Sequence, residues 1–468
     1  MVDNLFNDND PDYRATRVRS GIPPPSMRDI RHSSTVRKDM NLSSYNPAMQ
    51  RYPPRYSPYG QQYEQRHQES QSQSHHLNNV HESHNSQHHQ SLVTPPPPPP
   101  PRRLPPKPKP IDFRTSTDFL KCENRISLDD LINALREPTH IITDHEFLSS
   151  TPVVERVNEL REKMRNIPIS QFCTARTKAN PFERIGTAHF MNRAATKLAA
   201  LDALFALTTT KNNNSVFRFV DICGGPGGFS EYLLWRVQSW GGQGEGYGIT
   251  LPTRDEMNWH TEKFCVPHDS LVTVDGDICQ EEDRNKFERI VGDNLVDLAV
   301  ADGGLDFSGR EDKQEELMQR LILCELLVAL SCLRKGGLFV CKCFDMVSQG
   351  TGALCEICIT KPLSSRPANA ERYVVCKGLL YERPRALIDK LNKMVHQKDF
   401  KGVIPQNVFE NDENFIDYIK MRNMKFAMKQ TEALELIEQY IENPDMPPLY
   451  DQEQVKRHCL NEWRLPYQ

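Results

Sequence analysis

Four charged residues stand where a charge is either costly or poised at the end of an apolar run. Lys342 lies inside GLFVCKCF, where an ammonium is expensive to bury unless it faces a cleft or a partner. Asp302 closes LAVADGG, and Glu371 stands immediately before RYVVCKG. Lys197 sits on AHFMNRAATKLAALDALF, at the edge of the apolar stripe Phe190, Ala194, Leu198, Leu201 and Phe205, so it points toward the protein body. Plain structural readings exist for two of them: Asp302 as a turn-former before two glycines, Lys197 as a side chain snorkelling along an apolar face. Together the four suit the activation of a hydroxyl. Two lysines in one cleft depress each other's pKa, so one amine can take a proton while the other stabilises a developing oxyanion. Lys342 is the expected base, with Asp302 and Glu371 orienting the amines and holding the net charge near neutral.

A second constellation is FRFVDICGGPGGFSEYLLWR, a Gly-rich turn between a strand ending at Cys223 and a helix starting near Phe229. A doubly wound sheet binds nucleotide-like ligands at that place. Gly224, Gly225, Gly227 and Gly228 let the backbone approach a ligand, and the helix N-terminus offers free amides, although a lone Gly-rich loop also reads as a tight turn. Pro226 removes an amide and stiffens the loop, which fits S-adenosylmethionine better than a pyrophosphate that needs every donor. No Lys-Ser or Lys-Thr follows, which excludes a P-loop. The second strand ends in GITLP without the acidic residue of dinucleotide folds, and the nearest suitable carboxylate is Asp277, so a dehydrogenase is not expected. A sulfonium methyl group needs an in-line oxygen losing its proton, and the charged set beside this loop fits methylation of a ribose hydroxyl.

The elements that must position these residues alternate short apolar runs with helical periodicity. Strands are expected at 217–223, 246–251, 271–276, 296–302 and 337–344, with 372–380 as a closing strand, and helices at 229–240 and 315–334. This is an α/β pattern: a mostly parallel sheet with helices on both faces. If the closing strand runs antiparallel, Glu371 comes to the carboxyl edge where the other strands end. Upstream, Ser127 caps LDDLINALRE, and VVERVNELREKM repeats the helical period.

Residues 1–110 contain one Phe and no Trp and are rich in Pro, Ser, Gln, His and Asn, so they are expected to form a disordered tail. Their proline run Pro95–Pro101 is a stiff spacer or a ligand for a proline-binding module, and Arg102, Arg103, Lys107 and Lys109 give a faint nuclear import signal. The remaining organisation is a helical lead-in at 111–180, the α/β core at 181–395 and a helical extension at 396–468. A net charge of −4 gives no global drive toward nucleic acid, so RNA binding requires a local basic patch. Thirteen cysteines without short-loop spacing suit a reducing compartment. No apolar run approaches the roughly 18 residues of a membrane span, and a soluble, intracellular protein is expected. Cys355 and Cys358 form a CxxC without a second ligand pair, so zinc is not expected.

The motifs DICGGPGGFSEYLLWR, ADGG, FVCKCFD and SRPANAERYVVCKG, with ARTKANPFE, NRAATK and HCLNEWRLP, closely resemble the eukaryotic cap-specific mRNA (nucleoside-2′-O-)-methyltransferase 1 family across about residues 165–468. That family belongs to the FtsJ-like Rossmann methyltransferases, and the resemblance implies a Rossmann-like class I methyltransferase fold with a Lys-Asp-Lys-Glu site at Lys197, Asp302, Lys342 and Glu371. It further implies that Asn192, the loop Cys223, Gly224, Gly225, Pro226, Gly227, Gly228 and Phe229, and Asp277 with Ile278 hold S-adenosylmethionine. Arg176, Asp312, Lys313, Gln314 and Asn369 would contact capped mRNA, in a nuclear protein; apart from the resemblance, the tail is a candidate to meet a proline-binding module or transcription machinery. The stretch after Lys342 is shorter than the family pattern of a helix plus a strand, so some of the helix covering one face is expected to be missing there. The alternatives are the same reaction on another RNA or cap position, and a catalytically weakened cap-RNA-binding protein.

Overall fold

The computed structural model describes residues 110–120, 127–136, 148–209, 216–252, 257–304, 314–344, 355–397, 400, 402–403 and 412–467. The N-terminal tail with its His, Pro and basic tracts lies outside them, as do Asp312 and Lys313. Three helices lead in: α1 (Leu128–Ala134), α2 (Thr151–Arg165) and α3 (Ile169–Ala179). Ser127 caps α1 as its sequence suggests, its side chain accepting the Asp130 amide.

The core follows as α4 (Arg193–Phe205), β1 (Phe217–Ile222), α5 (Gly228–Ser239), β2 (Gly244–Thr250), β3 (Leu271–Asp275), α6 (Glu281–Val291), β4 (Val296–Ala301), α7 (Gln314–Cys332), β5 (Leu333–Cys343), β6 (Glu356–Thr360), β7 (Arg372–Lys377) and α8 (Arg385–Val395). After it come α9 (Glu413–Glu442), which packs on α2 and α3, and α10 (Gln452–Glu462). Among the described residues, no helix is long and apolar enough to cross a membrane.

The strands form one seven-stranded sheet in the order β3-β2-β1-β4-β5-β7-β6. Strands β1 to β5 run parallel, and β7 is antiparallel to both of its neighbours. Parallel neighbours require helical crossovers, which is why both faces are covered. Along β1 the faces alternate: Phe217 and Phe219 join Leu298, Val300, Val340 and Tyr373 beneath α4, α5 and α10. Val220 and Ile222 join Ala299, Ala301 and the residues of α6, α7 and α8 on the other face. Each fully buried Phe or Leu contributes about 1.5–3 kcal/mol by leaving water.

Two expectations change. The helix carrying Lys197 starts at Arg193 and leaves Phe190 in the preceding turn, because Asn192 takes the N-cap and accepts the Ala194 amide. The 315–334 helix stops at Cys332, and β5 begins there with a bulge opposite β4 and Gly336 at φ 77°. The shortened stretch supplies β6, where Ile357, Cys358 and Ile359 are buried and pair with β7. Its outer edge is satisfied by the Leu120 amide on the Ile357 carbonyl (2.8 Å) and by Tyr418, whose hydroxyl accepts the Ile359 amide (3.0 Å). Residues 345–354 lie outside the described set.

Candidate active site

The chain turns outward at β1, builds β2 and β3, and returns to place β4 on the other side of β1. A crevice opens at such a switch point beyond the carboxyl ends of the strands. Cys223 and the glycines leave β1 there, and Asp302 leaves β4 beside them. Cys223 itself adopts φ 56°, a left-handed conformation that non-glycine residues adopt at some cost.

The glycines form a cradle with no room for a side chain. A Cβ on Gly225 would lie 1.9 Å from the Met257 carbonyl oxygen, and one on Gly228 would lie 2.1 Å from Asn192 Oδ1. Beneath them Asp221, fully buried at the end of β1, accepts the Ser230 amide (3.0 Å) and hydroxyl (2.7 Å) through Oδ2 and so caps α5. Burial raises the Asp221 carboxyl to about 7, the Ser230 hydrogen bonds pulling against it and Asp302 adding to it. Asp221 Oδ1, Asn258 Oδ1 and Trp259 Nε1 are buried without a hydrogen-bond partner, and buried polar atoms are rarely left so. Asp277 and Ile278 follow β3 at the same edge of the sheet. Asp277 Oδ1 accepts the Cys279 amide (2.9 Å), and Ile278 is buried.

The structure brings the four charged residues together. Lys197 Nζ lies 2.6 Å from Glu371 Oε2 and 3.7 Å from Asp302 Oδ2, and Lys342 Nζ lies 3.2 Å from Asp302 Oδ1. Lys342 also donates to the Asp302 backbone carbonyl at 2.7 Å. The antiparallel β7 explains the meeting, because Tyr373 pairs with Lys342 and Glu371 immediately precedes the strand. Further along α4, Asp202 accepts the Thr208 amide (3.0 Å) and the Tyr232 hydroxyl (2.8 Å) and pairs with Arg236, anchoring the helix end.

One electrostatic expectation is overturned. Burial pulls the Lys342 amine down, but Asp302, then Glu371, outweigh it and leave its pKa above the ordinary lysine value. The carboxylates, not the second lysine, set the direction. Glu371 is the reverse case: burial would raise it, yet Lys197, Lys342 and Lys361 hold it at about 2.

Residues that sequence reading missed complete the site. Tyr373 donates its hydroxyl to Asp302 Oδ1 at 2.6 Å, Ser365 donates to Glu371 Oε1 at 2.6 Å, and Lys361 donates to the Asn369 and Glu371 carbonyls at 2.8 and 2.6 Å. Tyr373 becomes visible only once its register with Lys342 is known. Asp221 gave the same signal as Lys342, a charge inside an apolar strand.

On the flank, Arg176 of α3 lies over the Phe172 ring at 5.6 Å with its Nε buried and unpartnered. Arg193 and Arg366 stand nearby and both bind Glu183, at 3.2 and 3.1 Å. Asn369 is exposed two residues before Glu371, and Gln314 is the first residue of α7. Cys355 and Cys358 pack on opposite faces of the sheet, which rules out their sharing a metal, and no group of metal-ligating residues occurs among the described residues.

Residues 190–379 match the FtsJ-like methyltransferase family. A mouse protein named cap-specific mRNA (nucleoside-2′-O-)-methyltransferase 1 is 36% identical over 63% of this chain and 39% of its own length. The Dictyostelium discoideum protein of the same name is 33% identical over 68% of this chain and 46% of its own. A Caenorhabditis briggsae protein named inactive cap-specific mRNA (nucleoside-2′-O-)-methyltransferase 1B is 30% identical over 74% and 46%. The chain thus spans less than half the length of these relatives.

Proposed function

We propose that this chain, an FtsJ-like methyltransferase across residues 190–379, transfers a methyl group from S-adenosylmethionine to the ribose 2′-hydroxyl of the first transcribed nucleotide of capped mRNA. The carrying observation is the continuous chain of ion pairs Glu371–Lys197–Asp302–Lys342 at the sheet's carboxyl edge, beside the glycine cradle. The relatives carry both active and inactive names, and the complete set of ion pairs favours the active reading here.

The cradle fits the cofactor on its own evidence. Gly225 and Gly228 leave only backbone at the surface, and Asp221 Oδ1 is a buried acceptor that suits an amino group, with Asn258 and Trp259 beside it. When bound, S-adenosylmethionine supplies an electrophilic methyl group and a fixed positive charge. A cation held in the cradle would oppose the carboxylates that keep Lys342 protonated. The Lys342 amine would then take the hydroxyl proton, while Lys197, held 2.6 Å from Glu371, would stabilise the developing oxyanion. Tyr373 stays neutral, since burial and Asp302 raise its hydroxyl far above the usual range, and it fixes Asp302 as a donor.

The cationic group Arg176, Arg193 and Arg366 supplies the local basic patch that the net charge does not, and the unpartnered Arg176 Nε suits a phosphate oxygen. Asn369, exposed on the loop that ends at Glu371, would guide the ribose toward Lys342. A nuclear location and a tail that engages proline-binding modules or transcription machinery belong to the same reading, supported by RRLPPKPK and the proline run.

The test is transfer of label from radioactive S-adenosylmethionine to matched RNAs with and without a 7-methylguanosine cap, followed by nuclease mapping. Label on the first nucleotide of capped RNA alone is expected. Label elsewhere would move the substrate to another RNA or cap position, and no label with cofactor still bound would leave a binding protein.

A further inference from the structure

Glu325 lies in the middle of α7, within LILCELLVALSC, and is wholly buried among Cys324, Leu327 and Val328. Burying a carboxylate in such a run costs stability that a neutral side chain would not. Its two oxygens explain the placement. Oε1 accepts the Gly303 amide at 3.2 Å, and Oε2 accepts the Cys341 thiol at 3.1 Å. Gly303 is the neighbour of Asp302, and Cys341 is the neighbour of Lys342. The fit leaves no slack, since a Cβ on Gly303 would come within 2.2 Å of Glu325 Oε1.

We propose that Glu325 is a positioning residue for methyl transfer: through Gly303 and Cys341 it fixes the spacing of Asp302 and Lys342, and its charge biases the Lys342 amine. This rests on the reading of the cluster as a methyl-transfer site. The groups that face Glu325 are Cys223 after β1, Asp302 after β4, Cys341 and Lys342 on β5, and Cys324 on its own helix. Burial raises the Glu325 carboxyl to about 7; the Cys341 hydrogen bond and Lys342 pull against this, and Asp302 adds to it. It therefore ionises through neutrality and is anionic where an amine titrates.

The experiment is the pH profile of kcat for the full chain and for Glu325→Gln, an isosteric change that deletes the charge. Loss of a nearby anion lowers an ammonium's pKa, so the acid limb should move down by roughly one pH unit. Cys341→Ala is the second variant, which keeps the charge but cuts the tie from Glu325 to β5; the rate should fall with the acid limb little moved. Circular dichroism and S-adenosylmethionine binding identify which variants fold. An unmoved limb in folded Glu325→Gln, or an unchanged rate in folded Cys341→Ala, would overturn the proposal alone. Absence of transfer by the unmodified chain on every RNA would overturn the methyl-transfer reading, and this inference with it.

Discussion

Replacing Glu371 by Gln keeps the shape of the side chain and removes the charge that faces Lys197 at 2.6 Å. The carboxyl is held at about 2 in the fold against an ordinary 4.5, a difference of about 2.5 pH units, or about 3 kcal/mol at 1.36 kcal/mol per unit. The folded pKa is depressed, so this stability is fully present above pH 4.5 and is lost as pH falls toward 2. Glutamine titrates nowhere in that window. Wild type should therefore exceed Glu371→Gln by about 3 kcal/mol at pH 7, and by less than half of that at pH 3. Urea unfolding followed by tryptophan fluorescence at both pH values, with m checked for constancy, measures the two differences. A gap that stays constant between pH 7 and pH 3, or widens on acidification, would refute the claim that Glu371 folds as a paired anion.

Lys342→Ala should lower kcat by about 10²–10⁴-fold, the usual contribution of a proton-transfer group, while S-adenosylmethionine binding measured by calorimetry changes little. Tyr373→Phe removes the 2.6 Å donor to Asp302 and should slow transfer by about tenfold, the equivalent of one charge-assisted hydrogen bond, with Kd for cofactor unchanged. Asp221 titrates near 7 because of burial, so if it receives the cofactor's ammonium, wild-type affinity should rise between pH 6 and pH 8. Asp221→Asn should bind more weakly with a flat profile, and parallel profiles for the two proteins would remove Asp221 from the binding site.

Much of this site was legible because its sequence signals are local. A glycine turn between an apolar strand and a helix placed the cradle, and the Lys342 ammonium inside GLFVCKCF could not be explained as core. The same rule, applied without exception, points to Asp221 in FRFVDIC and Glu325 in LILCELLVALSC. Other features needed distances. The direction of the Lys342 shift depends on whether its nearest charges are carboxylates or the other lysine, and a count of lysines does not say. Tyr373 depends on register between strands far apart in sequence, and β6 is a short run whose apolar pattern suits strand or helix equally. The 3.6-residue stripe extended the Lys197 helix back to Phe190, whereas the Asn192 cap stopped it at Arg193.

The covering of β6 has a consequence for how the protein behaves among its own copies. An open strand edge is a template on which another chain can grow a sheet, and β6 carries the short apolar sequence EICIT. Leu120 and Tyr418 occupy its outward carbonyl and amide, and Asp118 secures both by accepting from Tyr418 (2.9 Å) and Arg422 (2.8 Å). Residues 118–120 thus act as a guard against self-association as well as a lead-in. A truncation that starts beyond Leu120 would keep the catalytic ion pairs and lose solubility, gaining a concentration-dependent β-rich aggregate seeded at Ile357 and Ile359.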